Sequence, residues 1–197
     1  MLTTRFEQAL QYAIIVHTGQ VRKGTQIPYI SHLLAVTSIV LEHGATEDEA
    51  IGALLHDAGE DAGGEARIAD IAARFGDAVA AIVRGCSDTT TTDPKPPWRQ
   101  RKEAYIAHLH EATAAIILVS AADKLHNARA ILHDYHTIGD ALWQRFNAGK
   151  AGTLWYYRAV TDALRVAPHN RCPQLIAELD RVVTHIDVGS VKLEGGS

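Results

Sequence analysis

Apolar residues along the chain recur at intervals of three and four, and the strict alternation of a half-buried strand is absent. Phe6, Ala9, Leu10, Ala13, Ile14 and Val16 mark one apolar face and predict a helix over 4–17, capped by Thr3 or Thr4 and ended by Gly19. Residues 18–30 interrupt the period with polar residues, Gly24 and Pro28, and read as a connection. Ser31 stands where it would cap a second helix over 32–43. Thr46 and Glu49 have the spacing of a capping box, opening a third helix that runs to His56-Asp57.

The period returns at Ile68, Ile71, Ala72 and Phe75, stops at Gly76, and resumes through Val79, Ile82 and Val83, which predicts two short helices. Residues 87–97 are rich in Thr and Pro and read as a mobile surface loop. A helix over 98–110 precedes the apolar run 114–122, whose alanines and lack of a partner strand favour a buried helix over a strand. Residues 140–166 are aromatic and helical. Pro173 opens a last helix to about Asp187, leaving 188–197 as a frayed tail. The expected fold class is all-α, a helical bundle forming one domain over 1–187.

Composition narrows the partners. At 197 residues the chain can bury one sizeable core, and its formal charge of −4 argues against a general nucleic-acid or membrane surface while leaving room for a local basic cluster that binds a small anion. Cys86 and Cys172 make no disulfide framework. No signal-like segment and no run of about 18 apolar residues occurs, so a cytoplasmic, unexported protein is expected. Assembly into an oligomer is left open.

The chemistry concentrates in Leu54-Leu55-His56-Asp57-Ala-Gly-Glu60-Asp61. An adjacent imidazole and carboxylate can grip one divalent cation. If the helix persists, Glu60 follows His56, and Asp61 follows Asp57, on the same face, where the acidic pair can orient or deprotonate a water at the cation. Two ligands leave such an ion under-coordinated. His32, opening a helix behind a Pro-Tyr turn, and Asp123, ending the most apolar segment, are candidates for the rest. Taken singly, each is better explained by a cap or a hydrogen-bonded core group; a buried carboxylate at 123 nevertheless needs a partner or a metal.

Taken jointly, His32, His56-Asp57 and Asp123 resemble the ligand set of the HD-domain metal-dependent phosphohydrolases, whose fold is an all-helical bundle. The flanking segments His17-Thr-Gly-Gln-Val-Arg22-Lys23-Gly, Pro28-Tyr29-Ile-Ser-His32-Leu and Ala122-Asp123-Lys-Leu-His-Asn127-x-Arg129 are similar to the hydrolase domain of the bifunctional stringent-response enzymes, and to the free-standing small alarmone hydrolases. The resemblance covers roughly residues 8–160. It implies one Mn²⁺ held by His32, His56, Asp57 and Asp123, with Glu60 and Asp61 activating water. The implied reaction removes the 3′-pyrophosphate of guanosine tetra- or pentaphosphate.

It further implies that Arg22, Lys23 and Tyr29 line the nucleotide pocket and that Asn127 contacts the sugar. Ala130 stands where the family often has a hydroxyl residue. Lys102, with Trp98, Arg99 and Arg101, is placed to close over a pyrophosphate or to form a solvated basic face; Lys150, Asn147 and Tyr156 are weaker candidates of the same sort. Trp143, Trp155 and Tyr157 are assigned to the core, and His108, His110, His126, His133 and His136 form no ligand pattern. Competing readings are an adenosine alarmone hydrolase, a phosphatase of nucleotides such as NADPH, and a non-catalytic module that senses an alarmone or binds a partner.

Overall fold

In the computed structural model, which describes residues 1–90 and 94–192 and side chains as far as residue 189, the regular structure is helical. In chain order the helices are α1 (Thr4–Val16), α2 (Ile30–Glu42), α3 (Glu47–Leu55), α4 (Ala58–Asp61), α5 (Gly64–Phe75), α6 (Asp77–Cys86), α7 (Trp98–His108), α8 (Ala114–Ile138), α9 (Gly149–Val166) and α10 (Pro173–Lys192). A 3₁₀ turn, Gly139–Arg145, joins α8 to α9. One isolated antiparallel bridge, Val21 to Pro28, closes the loop ahead of α2.

Helix starts follow the expected side chains with one exception. The Thr3 hydroxyl accepts from the Arg5 N–H, and Thr46 and Glu49 form the reciprocal box at α3. Ser31 caps nothing. It lies inside α2, because Pro28 fixes a turn early: the Ser31 N–H bonds to the Pro28 carbonyl at 3.0 Å and the His32 N–H to that of Tyr29 at 2.9 Å, leaving Tyr29 in the capping position. The 140–166 stretch is also not one helix, since Gly139 and Gly149 adopt φ of +59° each and divide it. The last helix passes Asp187 and continues to Lys192; residues 193–197, and within the predicted loop Thr91, Thr92 and Asp93, lie outside the described residues.

Two apolar cores flank a seam. One gathers Ala13, Leu54, Leu55, Ile68, Ile71 and Phe75 from α1, α3 and α5, with Val83 of α6. The other surrounds α8, where Ile117, Leu118 and Leu125 meet Leu164 of α9 and Leu179 of α10. Because α8 packs against α2, α3, α6, α9 and α10, its first half is covered on every side, and this is why that segment is apolar all round. No helix among the described residues is long and apolar enough to cross a membrane.

Gly52 lets α3 approach α6 closely: a Cβ there would lie 2.6 Å from Ile82 Cγ2 and 3.0 Å from Ile82 Cβ. Alanine gains about 1 kcal/mol of helix propensity over glycine, whereas overpacking against a branch point costs about 1–3 kcal/mol. Gly52→Ala is therefore expected to lower stability by about 1 kcal/mol, read as a lower urea midpoint at unchanged m-value.

Candidate metal centre and its cavity

The seam between the cores brings four distant residues to one point. His32 projects from the first turn of α2, His56 and Asp57 follow the end of α3, and Asp123 sits halfway along α8. His32 Nε2 lies 3.2 Å from Asp123 Oδ1 and 3.5 Å from Asp57 Oδ2; His56 Nε2 lies 3.1 Å from Asp57 Oδ2 and 3.5 Å from Asp123 Oδ1. His32 is 0% and His56 1% exposed, and both Nε2 atoms lack an aligned hydrogen-bond partner. Donor atoms of His32, His56 and Asp57 fall within 4.8 Å of one another, and Asp123 faces both imidazoles. Buried polar atoms are rarely left unpaired, so two orphaned nitrogens aimed at two carboxylates fit a divalent cation.

The other ring nitrogens set the tautomers. His56 Nδ1 bonds to the Ala53 carbonyl at 2.8 Å, satisfying one of the open carbonyls at the end of α3 and leaving the Nε2 lone pair for the centre. His32 Nδ1 lies 2.7 Å from His126 Nδ1, where one ring must donate and the other accept. Burial, then the neighbouring His32, pushes His126 down to about 4, so its ring stays neutral, and the contact fixes the His32 ring with Nε2 toward the two carboxylates. His126, which showed no pattern in the sequence, thus orients a candidate ligand.

Each carboxylate is also held. Tyr29 Oη donates to Asp57 Oδ2 at 2.5 Å, Asn127 Nδ2 to Asp123 Oδ1 at 2.6 Å, and the buried Lys124 ammonium pairs with Asp123 Oδ2. Burial opposes ionisation of both Asp57 and Asp123. It is outweighed by His56 together with the His32 contact at the first and by Lys124 together with both imidazoles at the second, and both carboxyls stay well below the usual range. Burial likewise lowers His56, yet Asp57 and Asp123 raise it well above the ordinary histidine value. The centre attracts positive charge from every side.

Glu60 and Asp61 do not share a continuous helix with His56 and Asp57. Hydrogen bonding of α3 ends at Leu55, and α4 is a separate single turn, because the His56 side chain takes up a carbonyl of α3. The Asp61 N–H still bonds to the Asp57 carbonyl at 2.9 Å, so both acidic residues remain beside the centre. Gln20 Nε2 donates to Asp61 Oδ2 at 2.8 Å, and the Gln20 Oε1 lies 2.7 Å from His17 Nδ1. Glu60 sits beside Asp88; burial first, then Asp88, pushes it up to about 7. Burial and Asp57 raise Asp61 as well.

A cavity of about 480 Å³ opens over these groups, lined by Asp57, Glu60, Asp61, Asp123 and Asn127 and extending past Ala130. Arg22, Lys23, Tyr29, Lys102 and Tyr156 line it too, whereas Trp98, Arg99, Arg101, Asn147 and Lys150 do not. Arg22 lies over the Tyr29 ring, 5.6 Å from its centroid, and donates to Asn127 Oδ1; Lys23 reaches Asn147 Oδ1 at 3.5 Å. Lys102 pairs with Asp88 Oδ2 at 2.6 Å. Trp143 and Tyr157 are buried, while Trp155 is half-buried beneath Arg99. Asp88, Lys124 and Gln20 were given no role by sequence reasoning; Gln20 and Lys124 had a signal, since they fall inside the motifs around Arg22 and Asp123, and Asp88 had none.

The sequence matches the HD domain family over residues 9–154. The guanosine-3′,5′-bis(diphosphate) 3′-pyrophosphohydrolase MESH1 of Drosophila melanogaster is 32% identical over 130 residues, 64% of this chain and 69% of MESH1. The bifunctional (p)ppGpp synthase/hydrolase SpoT of Escherichia coli K12 is 34% identical over 133 residues; the match spans 64% of this chain but only 18% of SpoT. Among solved structures, a metazoan ortholog of SpoT described as hydrolysing ppGpp and acting in starvation responses superposes with a TM-score of 0.72 at 26% identity, covering 96% of this chain and 98% of that one. A Listeria monocytogenes EGD-e protein gives 0.68 at 29% identity, covering 79% and 97%.

His126→Ala removes the partner of His32 Nδ1 without touching the centre itself. Loss of such an orienting group typically costs about 10–100-fold in metal affinity. Calorimetric titration of the metal-free protein with Mn²⁺ should show that loss, with the helical circular dichroism unchanged.

Proposed function

The chain belongs to the HD domain family, and on that footing we propose that residues 1–187 form a single cytoplasmic, Mn²⁺-dependent hydrolase unit that removes the 3′-pyrophosphate of guanosine 3′,5′-bis(diphosphate). The observation that carries the reading is the pair of buried, unpartnered imidazole nitrogens facing two carboxylates beneath a cavity that also holds Glu60 and Asp61. Likeness to MESH1 and SpoT supports the substrate and a place in the stringent response. In this reading His32, His56, Asp57 and Asp123 hold the cation. Their mixed nitrogen and oxygen donors, together with a phosphate ligand, suit Mn²⁺.

Once bound, the cation neutralises charge on the phosphoryl oxygens and lowers the pKa of a water beside it. The remaining work falls to side chains. Asp61, held through Oδ2 by Gln20, keeps Oδ1 for a proton from the attacking water, and Glu60 stands ready to take or return one. The water oxygen bonds to the phosphorus next to the 3′ oxygen, and the bond between that phosphorus and the 3′ oxygen breaks. One water proton passes through the carboxylates to the 3′ oxygen, and the other leaves with pyrophosphate. Arg22, Lys23, Tyr29 and Asn127 hold the nucleoside, and Lys102 faces the phosphates.

Steady-state rates with added Mn²⁺ on guanosine and adenosine 3′,5′-bis(diphosphates) and on NADPH test the assignment; the guanosine compound should give the highest kcat/KM, and turnover of none of them defeats it. Glu60→Gln should lower kcat about 10²–10⁴-fold while Mn²⁺ still binds, whereas Asp123→Asn should lose the metal. A sensor would keep its nucleotide response after Glu60→Gln, so that comparison also separates binding from hydrolysis.

A base must be ionised to accept a proton, and the Glu60 carboxyl is raised to about 7 by burial and Asp88. The rate should therefore climb with pH on the acid side of neutrality, with a midpoint drawn below 7 by the cation's charge. In a kcat profile from pH 5 to 9 this acid limb should be displaced in Glu60→Asp, measured at saturating Mn²⁺.

A further inference from the structure

The end of the cavity away from the metal centre is built differently. Apolar side chains line it from three segments: Ile27 from the loop before α2, Ile131 from α8, and Leu142 and Phe146 from the turn that follows α8. Ile27 is 52% exposed, apolar surface that a flat ring would cover. Among these residues stands one ion pair, in which Asp134 Oδ2 accepts from Arg145 Nη1 at 2.7 Å. Both side chains keep part of their surface open, 32% for Asp134 and 25% for Arg145. Among the described residues Asp134 Oδ1 has no hydrogen-bond partner.

Arg145 is held on its other side as well. Gly24, at φ +73°, lets the loop that carries Arg22 and Lys23 settle on its stem: a Cβ at 24 would lie 2.6 Å from Arg145 Cδ and 2.8 Å from Nε. A half-open ion pair stabilises a fold little, so its place in a cavity wall calls for another account. Apolar walls ending in a carboxylate with an oxygen to spare, beside a guanidinium with further donors, fit a planar ring whose edge carries an acceptor next to donors.

The Watson–Crick edge of guanine has that order: O6 accepts, while N1–H and the 2-amino group donate. Adenine sets an unprotonated N1 beside its 6-amino group, so a carboxylate takes one bond from it where guanine gives two. Asp134 stands about 10 Å along α8 beyond Asn127, with only the small side chain of Ala130 between them on the cavity wall.

We infer that Asp134 selects the base: its carboxylate accepts from the N1–H and 2-amino groups of a guanine, while Arg145 aligns that carboxylate and donates to O6. The inference rests on the hydrolase reading above and names the residue that sets its substrate. Neither side chain falls in the segments at 17–24, 28–33 and 122–129 that carry the family resemblance, so the base preference of this chain is written outside them.

The test compares wild type, Asp134→Ala and Asp134→Asn, as full chains at saturating Mn²⁺, on the 3′,5′-bis(diphosphates) of guanosine, inosine and adenosine. Inosine differs from guanosine only in lacking the 2-amino group. In wild type, kcat/KM should be about tenfold or more higher for guanosine than for inosine, the scale of a hydrogen bond to a charged group. In Asp134→Ala that ratio should fall to about one, through loss on guanosine. Asp134→Asn, whose amide oxygen keeps the bond to Arg145 and turns its nitrogen toward the donors of the base, should lose the preference too.

A pair that merely straps α8 to the following turn would lower the melting temperature of Asp134→Ala and leave the ratio where it was. An unchanged guanosine-to-inosine ratio in both folded variants therefore overturns the inference, as does a loss on adenosine as large as that on guanosine. Should wild type hydrolyse none of the three, the function assigned above fails. Calorimetric binding of GDP and IDP then decides the pocket alone: GDP binding the tighter in wild type, and no tighter than IDP in Asp134→Ala, sustains it, and equal binding in wild type sinks it.

Discussion

Four side chains that each favour a nearby positive charge share one dry point between two apolar cores, and the fold is arranged around keeping them there. Moving ionised carboxylates out of water costs several kcal/mol each unless charge and hydrogen bonds replace the solvent. At this centre the replacement is explicit. Asp57 Oδ2 receives the Tyr29 hydroxyl, Asp123 Oδ1 the Asn127 amide and Asp123 Oδ2 the Lys124 ammonium. The donors come from α8 and the turn before α2, so the packing of these elements and the ionisation of the centre are one problem. His56 shows the economy of the arrangement, because one bond from its Nδ1 to Ala53 both closes α3 and aims Nε2 inward.

Local spacing in the sequence is a good guide where a residue's role depends on its neighbours in the chain. The capping box at Thr46, the helix break at Gly76 and the burial of α8 can all be read in this way. The convergence of His32, His56-Asp57 and Asp123 was legible through a family likeness, since no local period relates positions so far apart. Partners of those residues were not legible. His126 meets His32 across 94 positions, and Arg22 meets Asn127 across 105, contacts that only the packing of α2 and its preceding loop against α8 creates. Asp88 was hidden for a different reason: it stands in a Thr- and Pro-rich stretch whose composition suggests solvent, yet its side chain is almost fully buried between two cations. Four-residue spacing places Glu60 and Asp61 in the right neighbourhood, but by way of a helix that in fact ends at Leu55.

One face of α8 also measures out the cavity. Asp123, Asn127, Ala130 and Asp134 all line it, and at 1.5 Å per residue they stand about 6, 10 and 16 Å beyond the first. The metal centre and Glu60 occupy one end; Asp134, paired with Arg145 at 2.7 Å, occupies the other. A ligand lying along this face meets negative charge that calls for a cation, then an amide, then the small side chain of Ala130, then a neutralised ion pair. With alanine at 130 there is no hydroxyl at the middle of the stripe, so Asn127 is the one uncharged polar side chain among these four.

Arg22 and the candidate metal centre are joined through Tyr29. Its hydroxyl donates to Asp57, its ring stacks on buried His17 with centroids 5.2 Å apart, and Arg22 lies over the same ring while donating to Asn127. Under the proposed function, an Arg22 guanidinium that turned to stack on a base would give up part of this contact and free Asn127. His17 opposes any large movement, because it is tied through Gln20 to Asp61. Arg22, Tyr29, His17, Gln20, Asp57 and Asp61 therefore form one connected unit, and under the proposed function a base held by Arg22 would be coupled through it to the aim of Asp57 and Asp61.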